Sequence, residues 1–412
     1  MELPKQGESA ASVMEALDRL QAGDVDWKSG KAFSLAYHAG PDVLALATEV
    51  NARFLSANAL NPAAFPSLRR MQAEVVEMVA GLLHGGRDAA GFMTTGGTES
   101  LLLAVKSARN RARRERGVAA PEMVLPTTAH AAFEKAADDF GVKSVRVPVG
   151  ADFRADPAAM AAAIGPDTVL VVASAPSYPQ GVVDPVEGIA AAALARGVSC
   201  HVDACMGGMI LPLLERLGRP VRAFDFRVPG VTSISVDLHK YGYAAKGASV
   251  LLHRNRDLRR DQTFATDKWL GGTYASSGML GTRSGGPIAA AWAVMRHLGE
   301  DGYLRLTKAA AAATDELLAG LRARPGVRVL GEPDATLAAF TIEGVDPFAV
   351  GDGLWRRGWV LDQQKPPPSL HCTVNAVHAG VIGEFLVAFD EAADEVRRSG
   401  ASAAQKAYGA IE

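Results

Sequence analysis

Cysteine is scarce in this chain: Cys200, Cys205 and Cys372 are the three among 412 residues. So small and odd a number argues against a disulfide framework and fits a reducing compartment. Although His201 lies between Cys200 and Cys205, no second ligand pair follows at zinc-site spacing, so no metal is expected. Excess charge of either sign is also missing. The 43 Lys and Arg nearly balance the 45 Asp and Glu, for a formal net charge of -2. Composition therefore implies no basic face for nucleic acid. The arginine-rich stretches 111–116 and 256–260 read as solvated surface. Long apolar runs are absent as well. None approaches the roughly 20 residues of a membrane span, and the best, Val169 to Ala175, suits a buried strand. Met1 to Gly7 are polar and carry both charge signs, unlike a secretory leader. These absences point to a cytoplasmic chain with no integral membrane segment.

What is present is ordinary globular material, 48% hydrophobic and 21% charged, long enough for a large domain and a smaller one. Helices are expected over Ala11 to Gln21, over Asp42 to Ser56 and from Pro66, where Leu68, Met71, Val75, Met78, Val79 and Leu82 form one apolar face. From Ala90 to about Leu252, short apolar runs alternate with helical patterns. Strands are expected at Met123 to Leu125, Ser144 to Val147, Thr168 to Ala173, Ser199 to Val202, Ser233 to Val236 and Ala248 to Leu252. That alternation predicts an α/β fold with a doubly wound, mainly parallel sheet, whose ligands bind at the carboxyl ends of strands. After Gly286 comes a long helix, then an α+β pattern. Three parts are expected: an N-terminal helical segment over 1–60, a large α/β domain over 61–290 and a small domain over 291–412.

Four motifs carry chemistry. Ser235-Val236-Asp237-Leu238-His239-Lys240 places a His-Lys pair just beyond a strand, and a lysine amine in a tuned site can form a Schiff base with an aldehyde. His201-Val202-Asp203 ends the strand before it, where a carboxylate could hold a proton on a pyridine nitrogen. Thr94-Thr95-Gly96-Gly97-Thr98-Glu99-Ser100 opens a helix expected over Leu101 to Arg111, and such a start can bind phosphate through free amides. His130 follows a strand and begins a helix. Each alone has an ordinary reading: a surface lysine, a capping aspartate, an N-cap, a surface histidine.

In the chain order phosphate loop, His, Asp, Lys, the four together resemble fold type I enzymes of pyridoxal 5'-phosphate (PLP), in the group II decarboxylase branch. The wording of 96–100, 130–136, 201–208, 224–235, 239–247, 271–276 and 281–286 is similar to the sphingosine-1-phosphate lyase family, and the likeness runs from about Tyr37 to Gly409. The resemblance implies the PLP-dependent transferase fold type I and an aldehyde-lyase that breaks a C2–C3 bond by retro-aldol cleavage. It implies a long-chain aldehyde and phosphoethanolamine as products. By the same resemblance, Lys240 carries the PLP, Asp203 faces its pyridine nitrogen and His130 stacks on its ring. Gly97, Thr98 and His239 hold its phosphate. Thr282 reaches that phosphate from the other subunit of a homodimer. Lys246 and Tyr274 are candidates for proton transfer or substrate phosphate contact. Tyr37 matches an entrance position and Tyr178 an aromatic position over the site. Asn61 stands where the family commonly has His, and Ala245 where it usually has Pro, which puts the exact substrate in question. For Cys205 a small buried filler is the better reading. An amino-acid decarboxylase of the same fold is the alternative, and Lys246 with Tyr274 suits a phosphate and a C3 hydroxyl better than a carboxylate. A PLP-binding carrier without efficient catalysis is the third reading, against which the intact Lys, Asp and His set argues.

Overall fold

The alternating pattern after residue 90 folds into one seven-stranded sheet in the computed structural model, which describes residues 2–61 and 63–406. Its strands are β1 (Ala90–Thr94), β2 (Glu122–Pro126), β3 (Lys143–Val147), β4 (Thr168–Ser174), β5 (Ser199–Asp203), β6 (Val231–Asp237) and β7 (Ser249–His253). They lie in the order β1-β7-β6-β5-β4-β2-β3. Neighbours from β6 through β3 are parallel, while β7 runs antiparallel to both β6 and β1. Every residue of β4 is buried, as expected of a strand covered on both faces. The six expected strands are all present, with ends shifted by at most two residues.

Strand β1 escaped the sequence reading because Gly91 interrupts its short apolar run. A Cβ at Gly91 would stand 2.7 Å from Leu252 Cδ2 and 2.8 Å from Val76 Cγ1. Only glycine lets the helix carrying Val76 press onto this strand. Four helices come early in the chain: α1 (Ala10–Gln21), α2 (Pro41–Arg53), α3 (Pro66–Leu82) and α4 (Gly97–Arg116). In α3, proline opens the helix, and Leu68, Met71, Val75, Val76, Val79 and Ala80 are buried along one face, the stripe a packed amphipathic helix shows. Helix α4 is longer than expected at both ends, since the phosphate-loop glycine Gly97 already belongs to its first turn.

A two-stranded hairpin, β8 (Phe264–Thr266) with β9 (Tyr274–Ser276), precedes the long helix Gly286–Arg322. Beyond it, β10 (Val327–Val329), β11 (Leu337–Ile342), β12 (Asp362–Gln364) and β13 (Ser369–Thr373) form an antiparallel sheet in the order β10-β11-β13-β12. The hairpin and β12 were not expected, because these three-residue strands, Phe-Ala-Thr, Tyr-Ala-Ser and Asp-Gln-Gln, carry too few large apolar residues to show a strand pattern.

Two hydrophobic cores meet along the long helix, which breaks at Gly299. Its Ile288, Val294 and Ala311 pack into the core under the large sheet, and its Ala313, Leu317 and Leu321 into the core under the small one. The expected boundary near residue 290 falls at the start of this helix, whereas the cores divide between Ala311 and Ala313. The N-terminal segment serves both: Phe33 is fully buried in the small core, and Val43 and Ala47 of α2 in the large one. Among the described residues, no helix is long and apolar enough to cross a membrane.

Candidate active site

Residues two apart on a strand share a face, and parallel neighbours align those faces. The β5–β6 register sets His201 beside Ser233 and Asp203 beside Ser235. Ser235 Oγ donates to Asp203 Oδ1 at 3.2 Å, and the amide of Cys205 donates to the same oxygen at 3.1 Å. His201 supports Ser235 from behind, with Nε2 3.2 Å from its Oγ, while Nδ1 lies 2.9 Å from Ser233 Oγ. Burial pushes the His201 imidazole down to about 4, so this support is neutral.

Strand β6 ends on Asp237, and the turn that follows carries His239 and Lys240 into the same cavity. The Lys240 ammonium sits 2.9 Å from Asp237 Oδ2. Ser249 Oγ donates to Asp237 Oδ1 at 2.6 Å. Burial opposes both charges. The pair nevertheless holds Asp237 below the usual carboxylate range and Lys240 above the usual lysine range, each through the other's charge. Asp237 is a site residue the sequence reading passed over. It stood inside the quoted motif and on the same strand face as Ser235.

The phosphate end lies where β1 gives way to α4. No side chain caps α4 among the described residues, so its first amides are available to an anion. A Cβ at Gly97 would stand 2.8 Å from Asp237 Oδ2 and 2.9 Å from Cys205 Sγ, so glycine is what permits the loop's approach to β6. His239 Nδ1 is buried and finds no hydrogen-bond partner among the described residues. Burial lowers the pKa of His239 and of His130, which favours neutral rings. Glu99, also unforeseen, ties the loop down. One carboxylate oxygen accepts from the amide and hydroxyl of Thr95 at 2.6 and 2.7 Å, and the other from the amide of Met279 at 2.7 Å.

These groups line one cavity of about 410 Å³ at the carboxyl ends of the central strands. Tyr37, Gly97, Thr98, His130, Tyr178, Asp203, His239, Lys240 and Lys246 all face it. Lys246 as a whole is exposed, while its ammonium donates to the carbonyls of Leu35 at 2.9 Å and His239 at 3.3 Å, over the Tyr37 ring. Burial, reinforced by the charge of Lys240, pushes its pKa down to about 8. Tyr178 donates to Asp362 of β12, a partner that no motif signalled because it lies in the small domain. Three expected residues do not line the cavity of one chain. Tyr274 lies in the hairpin beside Trp269 and Phe264. Thr282 is exposed and accepts from Asn58 Nδ2 at 3.4 Å. Asn61 is exposed and accepts from the amides of Ala63 and Ala64.

A phosphate-bearing pyridine aldehyde fits this donor set. A lysine amine, a braced carboxylate, an amide cradle that admits no Cβ and an unpaired buried imidazole nitrogen share one cavity.

Comparison with known proteins agrees with the geometry. Residues 1–343 match the model of the pyridoxal-dependent decarboxylase conserved domain. The chain is 40% identical to the sphingosine-1-phosphate lyase of Oryza sativa over 404 residues, which is 96% of this chain and 75% of the rice protein. It superposes on the solved sphingosine-1-phosphate lyase of Burkholderia pseudomallei with a TM-score of 0.93 at 39% identity, covering 97% of this chain and 94% of that one. The glutamate decarboxylase of Lactobacillus brevis, at 18% identity and a TM-score of 0.85 over 97% of this chain and 95% of its own, shares the fold. With its lysine, carboxylate and phosphate cradle gathered at the strand ends of that fold, the chain belongs to the sphingosine-1-phosphate lyase family of pyridoxal-dependent enzymes.

Proposed function

We propose that the protein cleaves the C2–C3 bond of sphingosine 1-phosphate or a similar phosphorylated long-chain base, releasing a long-chain aldehyde and phosphoethanolamine. The observation that carries the reading is 40% identity across 96% of the chain to an enzyme named for that activity. Bound in the cavity, PLP supplies an aldehyde carbon to which an amine attaches and a ring that accepts electrons from the broken bond. Lys240 would hold it, with Asp203 keeping a proton at the pyridine nitrogen. The first amides of α4 at Gly97 and Thr98, with His239, would hold its phosphate, and His130 would cover its ring. Lys246 would take the proton of the C3 hydroxyl. An amine whose pKa is pushed down to about 8 is a competent base near neutral pH. Tyr37 and Tyr178 narrow the cavity and limit water.

The site reads as shared between two subunits. Phe264, Trp269, Leu270, Met279 and Leu280 are large apolar side chains exposed around the hairpin, and Val13, Met14, Leu17 and Leu20 are exposed on α1. Exposed large apolar side chains in each of these two places support a protein contact. A homodimer would cover them and offer Tyr274 and Thr282 to the neighbouring site, which supports the roles expected of those two residues. Three free, buried cysteines support a cytoplasmic setting.

The test is incubation of the PLP-loaded protein with sphingosine 1-phosphate while aldehyde is trapped. Stoichiometric aldehyde and phosphoethanolamine are expected. Carbon dioxide released from amino acids, with no aldehyde, would establish the decarboxylase alternative instead.

A further inference from the structure

A second cavity, of about 540 Å³, lies against the first and has no part in the chemistry described so far. The two share Leu35, Tyr37 and Lys246. Beyond that common wall the second cavity is largely apolar, built by Trp27, by Val43, Leu44 and Ala47 of α2, and by Tyr243 and Ala244 of the loop before Lys246.

The shared wall is unusual at Leu35. The residue is 69% exposed, and its backbone has φ +61°, a conformation that non-glycine residues adopt at a cost. The contact with Lys246 Nζ pins its carbonyl. An apolar side chain is thus held out in strained backbone where a polar compartment meets an apolar one. A substrate with an anionic head and a hydrocarbon chain needs both compartments, since its head must reach Lys240 and Lys246 while its chain must leave water.

We propose that this second cavity holds the hydrocarbon chain of the substrate, with Leu35 and Tyr37 forming the threshold over which the chain leaves the catalytic cavity. The inference rests on the lyase reading above and names the place where that reading gains its chain preference.

The test compares sphingosine 1-phosphate with a short-chain analogue bearing the same phosphate, amine and hydroxyl, using the PLP-loaded protein. The short analogue should lose kcat/KM by up to about fourfold for each missing buried methylene. Thr48→Trp, at an exposed position of α2 that lines the second cavity, should fill it and cut the long-to-short ratio of kcat/KM by about tenfold or more. Leu44→Asn, which adds polarity without bulk, should move the ratio the same way. Equal losses on both substrates, or an unchanged ratio in both variants, would overturn the assignment. So would a shift of Thr48→Trp to a smaller assembly, because the cavity would then be a contact between copies.

Binding separates this inference from the reaction. The long-chain substrate should change the tryptophan emission of cofactor-free protein, and Trp27→Phe should remove most of that change. Emission that responds without any aldehyde formed by the loaded enzyme would sink the reaction and support the chain site. Aldehyde formed with no chain-length preference would sink the chain site and leave the reaction standing.

Discussion

The hydroxyl of Tyr178, on the loop after β4, donates to the carboxylate of Asp362 in β12. Ser34 Oγ donates to the same oxygen at 2.7 Å, and His371 Nε2 lies 2.9 Å from the Tyr178 carbonyl. The large sheet, the small sheet and the N-terminal segment therefore meet at one aromatic side chain on the cavity wall. A hydrogen bond to a charged acceptor is among the stronger kinds. Asp362→Asn should lower kcat/KM by about tenfold while leaving cofactor occupancy and melting temperature nearly unchanged. Steady-state kinetics alongside cofactor absorbance checks this. A loss that merely tracks lost cofactor would show that Asp362 only supports the fold.

Lys240→Ala should abolish the visible absorbance of the bound cofactor while the protein remains folded by circular dichroism. Removing the amine also leaves Asp237 without its buried partner, so a lower melting temperature is expected beside the lost absorbance. Asp203→Asn should retain the cofactor and lose activity by at least about a hundredfold, because the neutral amide cannot hold a proton at the ring nitrogen.

Gly97→Ala should weaken cofactor affinity by about tenfold or more. The added methyl would lie 2.8 Å from Asp237 and 2.9 Å from Cys205, forcing the loop away from β6 and spoiling the amide cradle. Titration of cofactor-free protein with PLP measures it. Unchanged affinity would place the phosphate elsewhere.

Lys246 sets a pH dependence. Its ordinary value of 10.5 falls to about 8 in the folded chain, chiefly through burial. Between about 8 and 10.5 the unfolded chain binds the extra proton, so stability rises with pH across that window. Below about pH 8 the folded chain must carry a buried charge, and its stability is lower. If the neutral amine is the base, kcat/KM should rise through an inflection near pH 8. Lys246→Met should flatten both the pH–rate profile and this part of the pH–melting profile.

Much of this protein was legible from local chemistry. The apolar face of α3, the buried strands β4 to β6 and the motifs around Gly97, His130, Asp203 and Lys240 declare themselves within a few residues, because periodicity and strand-end placement are short-range properties. The parallel sheet followed from the alternation of strands and helices, and the cavity at the strand ends followed from the sheet. Shorter elements gave no such signal. Gly91 disguised β1, and β8, β9 and β12 hold too few large apolar residues to show a pattern.

The tertiary structure decided what sequence spacing could not. The β5–β6 register put Ser235 behind Asp203. The turn after β6 paired Lys240 with Asp237. Packing of the small sheet on the large one brought Asp362 to Tyr178 across 184 residues of chain, and the approach of the N-terminal segment to the 243–246 loop created the apolar cavity beside the catalytic one. The physical reason is the same throughout: a residue's type fixes which bonds it can make, but partners far apart in the chain are chosen by the packing of whole elements, and that choice is made once the two cores have formed.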